Sequence, residues 1–101
     1  MNLYYQPEAF GLTIVAELEE GGSYEFDTTV VFRRDSGELV WTHDEGCSCP
    51  TPFEDQGIQD LKEFDVDAIR RHVRENEHGY ATAEERAKFL RRVSRLAREA
   101  T

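Results

Sequence analysis

The sequence predicts an α+β domain: a three-stranded antiparallel β-meander followed by two C-terminal helices packed on one sheet face. Three observations carry this. Apolar and polar residues alternate with period two through three stretches before residue 45. Glycine-bearing turns separate those stretches. Beyond residue 64 the apolar spacing changes to three and four, behind residues suited to helix caps. The length of 101 residues suits one domain with a single modest core. Residues 1–101 therefore divide into an extended arm (1–10), the meander (11–45), a cysteine and proline loop (46–64) and a helical part (65–101).

The arm is assigned from Gln6-Pro7, because a residue before proline is pushed toward extended geometry. The first strand covers residues 11–19, with Leu12, Ile14, Ala16 and Leu18 on one face. Gly21-Gly22 breaks the chain into a hairpin. The second strand covers 23–34, with Tyr24, Phe26, Thr28, Val30 and Phe32 on one face and Glu25, Asp27, Thr29, Val31 and Arg33 on the other. After the turn at Asp35-Ser36-Gly37-Glu38, a third strand covers 38–44; Leu39, Trp41 and His43 alternate there with Val40, Thr42 and Asp44. The meander then has one apolar face, which the helices must cover.

Ile58 to Leu61 reads as a helical turn. Asp65 is the expected N-cap of a helix over 66–76, ended by Asn76 and Gly79. Thr82-Ala-Glu-Glu85 is a capping box that opens the last helix. Ala83, Ala87, Leu90, Ser94 and Ala97 form one apolar stripe of that helix, and Phe89, Val93, Leu96 and Ala100 the next. Lys88, Arg91, Arg92, Arg95 and Arg98 lie opposite, with Glu84–Lys88 and Arg95–Glu99 spaced for ion pairs.

The formal charge of -9 disfavours nonspecific nucleic-acid binding. It is unevenly spread. Residues 1–67 hold 3 basic and 16 acidic side chains; residues 68–101 hold 9 basic and 5 acidic. No apolar run is long enough for a membrane helix, and the N-terminus has no secretory pattern, so a cytoplasmic location is expected and no membrane partner.

The stretch Gly46 to Glu54 holds both cysteines and two of the three prolines. Cys47 and Cys49, with His43 and His72 (or His78), make up a candidate zinc set, although only one residue separates the thiols where two to four are usual. Free, structural cysteines are the competing reading. A disulfide between them would be strained, and no group is nominated to orient a cysteine nucleophile. Asp44/Glu45 and Glu54/Asp55 are acidic pairs for a hard cation or for water. Gly21-Gly22-Ser23 lacks the spacing and the lysine of a phosphate loop. Pro50 and Pro52 predict an ordered connection, with Phe53 anchored in the core beside Trp41 or the last helix.

Ser23 to Asp27, Leu39 to Trp41 and the run Gly46-Cys-Ser-Cys-Pro-Thr-Pro-Phe-Glu54 resemble a family of small proteins of unknown function. Actinobacteria and their bacteriophages encode that family, and its mark is the G-C-S-C-P-x-P-F-E motif. The likeness covers about residues 4–62. It implies a phage or prophage accessory protein and assigns no catalytic residue.

The expected function is non-enzymatic: a protein–protein interaction module for a host or phage protein, with no cofactor. The candidate contact residues are Tyr4, Tyr5, Glu17, Glu19, Asp27 and Phe53. A small zinc domain is the first alternative. The second is an acidic mimic of nucleic acid, built on rows of carboxylates along the strands. An uncovered edge strand leaves monomer and homodimer both open.

Overall fold

The computed structural model describes residues 2–22, 24–47, 51–76 and 79–99. Four strands form one antiparallel sheet in sequential order: β1 (Leu12–Glu19), β2 (Glu25–Arg34), β3 (Leu39–Cys47) and β4 (Lys62–Glu63). Helices α1 (Val66–Glu75) and α2 (Ala83–Glu99) follow. The α+β class and the order of strands before helices are as expected from the sequence. The sheet has four strands rather than three. β4 is only two residues long, too short to show alternation, and it pairs Val40 with Glu63 and Trp41 with Lys62. The Lys62 ammonium lies 4.6 Å from the centre of the Trp41 ring, a cation–π contact that holds this short strand in place. No helix among the described residues is long and apolar enough to cross a membrane.

The two helix starts follow the expected chemistry. Asp65 caps α1 by accepting from the amides of Asp67 and Ala68. Thr82 and Glu85 bond each other's backbone amides at 3.0 and 3.1 Å. Those bonds hold the Glu85 carboxyl below its ordinary range.

The sheet is apolar on both faces, where one apolar face was expected. The helices cover the first face, with Val31, Leu39, Trp41, Ile69, Val93 and Leu96 among the buried residues. On the second face lie Leu3, Leu12, Val30, Phe32, Val40 and Phe53. The N-terminal segment and the chain around Phe53 cover it. The arm is therefore not extended. Asn2 Oδ1 accepts from the amides of Tyr4 and Tyr5, and a 3₁₀ turn runs from Pro7 to Phe10. Asn2 thus turns the chain back, which pre-proline geometry at Gln6 does not reveal.

A β-bulge divides β1 between the two faces. Ile14 pairs with Phe32 and Ala16 with Val31, leaving Val15 as the extra residue. An extra residue reverses the alternation beyond it. Leu12 and Ile14 accordingly join the second face, and Ala16 and Leu18 the helical one. The expected single face of Leu12, Ile14, Ala16 and Leu18 is split at this point. Arg92 Nε donates to the Val15 carbonyl at 3.1 Å, so α2 satisfies the bulge.

Candidate functional site

The helical face of the sheet runs past the end of its apolar core into polar residues. In the β2–β3 register Thr29 stands opposite His43, Asp27 opposite Glu45 and Glu25 opposite Cys47. These residues share the face of Val31 and Trp41 by strict alternation. The last turn of α1 hangs over them. His72 Nε2 lies 2.9 Å from Thr29 Oγ1, and its ring meets the His43 ring edge-on at 4.4 Å between centres. His43 Nε2 lies 2.5 Å from Asp27 Oδ1, and Asn76 donates to Asp27 Oδ2 at 2.7 Å. Asp27 thereby ties both strands to the end of α1.

Burial and then the neighbouring His43 lower the His72 pKa from its ordinary value; Lys62 acts in the same direction, while Asp27 and Glu75 oppose it. The sign of the linkage follows. In the unfolded chain His72 binds its proton near the usual value of about 6.5. The folded protein binds it only at lower pH, so folding favours the neutral ring. This contribution is complete above about pH 6.5 and is lost as the pH falls toward the folded value. We therefore expect a lower urea midpoint at pH 5.5 than at pH 7.5. His72→Gln should flatten that step, and an unchanged step in the variant would assign it to another group.

The cleft beside this network has a volume of about 320 Å³ and is lined by Glu20, Glu25, Asp27, Glu45, Asn76 and Tyr80 among others. It continues past Tyr24 and Tyr80, which are 80% and 77% exposed. No lysine or arginine lines it among the described residues. Glu20 is already neutralised: Arg86 Nε and Nη2 each lie 2.9 Å from one of its oxygens. The other three carboxylates give the cleft its charge. Two glycines shape the wall by close approach. A Cβ on Gly79 would stand 2.0 Å from Glu20 Oε2, and one on Gly22 would stand 2.9 Å from the Tyr80 ring.

Asp27, His43 and Glu45 each offer a ligand atom, and these atoms lie within 4.8 Å of one another. They are the described residues that suit a divalent cation: imidazole and carboxylate ligands together. Of the four expected zinc ligands, His43 and His72 come together. Cys47 is exposed at the end of β3, four strand residues from His43, about 13 Å at the usual rise. Cys49 and His78 lie outside the described residues, as does part of the connection from Gly46 to Glu54. Asp44 and Glu45 face opposite sides of β3. Asp44 Oδ2 accepts from the Phe53 amide at 2.8 Å on the second face, so the adjacent pair does not share a cation.

The expected contact residues are dispersed. Phe53 is fully buried and offers nothing to a partner. It packs against Tyr4, with ring centres 5.0 Å apart, rather than beside Trp41 or α2. Tyr4 donates to Glu17 Oε2, and burial followed by that bond pushes its phenol well above the ordinary range. Tyr5 remains 57% exposed. Glu19 closes the β1–β2 hairpin by accepting from the amides of Gly21 and Asp27 and from the Thr28 hydroxyl. Glu17 and Glu19 lie on the second face, and Glu25, Asp27 and Glu45 on the helical one, so the carboxylates form two groups and not one row.

Sequence reasoning missed Glu20, Arg86, Asn76 and Tyr80. Glu20 and Arg86 are 66 residues apart, and no spacing rule links them. Gly79, read only as a helix stop, was a local signal of a close approach.

The Thr29 hydroxyl that bonds His72 is buried. Carboxylates and tyrosine rings line the cleft, a chemistry that suits a cation or cationic group. No curated protein and no solved structure matches the chain. A family model does match, over residues 1–101, and its description is a domain of unknown function, DUF7574. The chain belongs to the family of that domain.

Proposed function

We propose that this protein is a non-enzymatic interaction module, a phage or prophage accessory protein of the bacterial cytoplasm, that takes a lysine- or arginine-bearing segment of a partner protein in its acidic cleft. One observation carries the reading. Glu25, Asp27 and Glu45 line a cleft that has no basic side chain among its described lining and that continues past two largely exposed tyrosines. Carboxylates attract a cationic side chain, and the ring faces of Tyr24 and Tyr80 bind it further. Tyrosine facing arginine is a frequent centre of binding energy. The resemblance of Gly46 to Glu54 to phage-encoded proteins supports the setting.

The test is capture of partners from a host lysate by the native protein, a Glu25→Lys/Glu45→Lys variant and a Glu17→Lys variant. Proteins that bind through the cleft are lost with the first variant, retained with the second, and released by added salt. A set of captured proteins identical for all three would end the reading.

The convergence of Asp27, His43 and Glu45 favours a second reading, a divalent-metal domain centred on those residues rather than on Cys47 and Cys49. Titration calorimetry with Zn²⁺ tests it: binding to the native protein that His43→Ala abolishes supports it, and binding unaffected by that change refutes it.

A further inference from the structure

Two apolar stripes were read on the last helix, and the fold covers only one of them. Phe89, Val93 and Leu96 are buried against the sheet. Ala83 and Ala87 are exposed, and Leu90, Ser94 and Ala97 are half-buried. This second stripe forms the floor of a groove between α1 and α2, described by two adjoining cavities of about 460 and 410 Å³. From Ala83 to Arg98 the α2 residues that line the groove span about 22 Å at the helical rise, close to four turns.

The rims of the groove are basic on both sides. Arg70 and Arg74 come from α1, and Arg91 and Arg95 from α2. Arg70 is held in place by donating to Ser94 Oγ at 2.8 Å. No carboxylate lines either cavity among the described residues. The ion pairs expected along α2 do not neutralise it: Glu99 turns instead toward Arg33 and Arg92, at 3.7 and 3.9 Å.

We infer that this groove docks an acidic amphipathic α-helix of a partner protein. The alanines of the floor let a helix backbone approach closely, and Leu90 offers it an apolar contact. Carboxylates flanking the apolar stripe of such a helix would meet arginines on both rims, the helix-in-groove mode of recognition. A nucleic-acid backbone has no apolar face to cover Ala87 and Leu90, and the net charge of -9 repels it. The helices of a second copy do not supply such a segment, because α1 carries Arg70, Arg71 and Arg74 and α2 carries Lys88, Arg91, Arg92, Arg95 and Arg98. The inference does not rest on the acidic cleft, which is a separate surface.

Fluorescence anisotropy with labelled synthetic probes tests it. The first probe is a helix of about four turns, with leucines at three- and four-residue spacing and glutamates beside them. The others are a scrambled peptide of the same composition and a short DNA duplex. The ordered peptide is expected to bind most tightly. Arg91→Glu/Arg95→Glu and Leu90→Asp, shown to be folded by circular dichroism, should each weaken it about tenfold or more. Glu25→Lys/Glu45→Lys should leave it unchanged. Equal binding of the scrambled peptide would reduce the groove to a charged surface. Tighter binding of DNA would assign it to phosphate, and no binding of the ordered peptide would overturn the inference outright.

Discussion

Replacing Arg86 by alanine is expected to destabilise the protein by about 3–5 kcal/mol, because it leaves a buried carboxylate without its counter-charge. The side chain of Glu20 is 1% exposed and that of Arg86 18%. Their pairing joins the β1–β2 hairpin to the first turn of α2. Arg86 Nη2 also donates to the Gly79 carbonyl at 2.8 Å, and the Tyr80 amide donates to the Glu20 carbonyl at the same distance. A loss of that size is a large share of the roughly 5–15 kcal/mol that keeps a domain folded. It should lower the thermal midpoint by roughly 12 °C or more. Glu20→Ala should cost less, since the arginine left behind can turn into water while the carboxylate cannot. A double replacement by methionine should recover part of the loss, as apolar replacements of buried pairs often do. Thermal denaturation of the four proteins decides the matter. An Arg86→Ala loss below about 1 kcal/mol would class the pair with ordinary surface ion pairs.

Phe53→Ala is expected to cost about 3–5 kcal/mol, the usual range for emptying a buried phenylalanine site. Phe53 fills the second core with Leu3, Leu12, Val30, Phe32 and Val40, and it is fully buried. Its backbone is unusual for so large a side chain: φ is +64°. That left-handed conformation costs roughly 1–2 kcal/mol for a residue with a Cβ. It is held by the bonds from the Phe53 amide to Asp44 and from Asn2 Nδ2 to the Pro52 carbonyl, both 2.8 Å. A second expectation follows. Glycine ordinarily destabilises a folded position relative to alanine, but at this φ it relieves strain. Phe53→Gly should therefore be at least as stable as Phe53→Ala. Cys47→Ser, at an exposed thiol, should change stability by no more than about 0.5 kcal/mol. Urea denaturation of the three variants tests these statements together. A Phe53→Gly protein clearly weaker than Phe53→Ala would remove strain from the account.

The acidic cleft and the basic groove give the uneven charge of the chain a spatial meaning. Carboxylates gather where β2 and β3 run beyond the helices, and arginines gather along the outer sides of α1 and α2. Each surface suits a partner of opposite sign, and the two lie on different parts of the molecule. Glu20 at the cleft and Arg86 at the groove neutralise each other and join the elements, so the remaining side chains carry the charge of each surface.

Local chemistry was legible in the amino-acid sequence alone. The alternation of β2 and β3, the cap at Asp65 and the box at Thr82–Glu85 depend on neighbours a few residues apart. The burial of Phe53 was legible as well, from its place behind two prolines. What only the tertiary structure decided depends on partners far along the chain. The bulge at Val15, whose carbonyl meets Arg92 77 residues away, puts β1 on two faces instead of one. β4 exists because two residues find the edge of β3, and so brief a pairing leaves no period to read. Alternation grouped Asp27 with Thr29 and Val31 on one side of β2, yet that this is the side the helices cover, and its grouping with His43, Glu45 and Asn76, required the register of β2 against β3 and the docking of α1. Spacing along a chain reports which way a side chain points; which distant side chain it meets is set by packing.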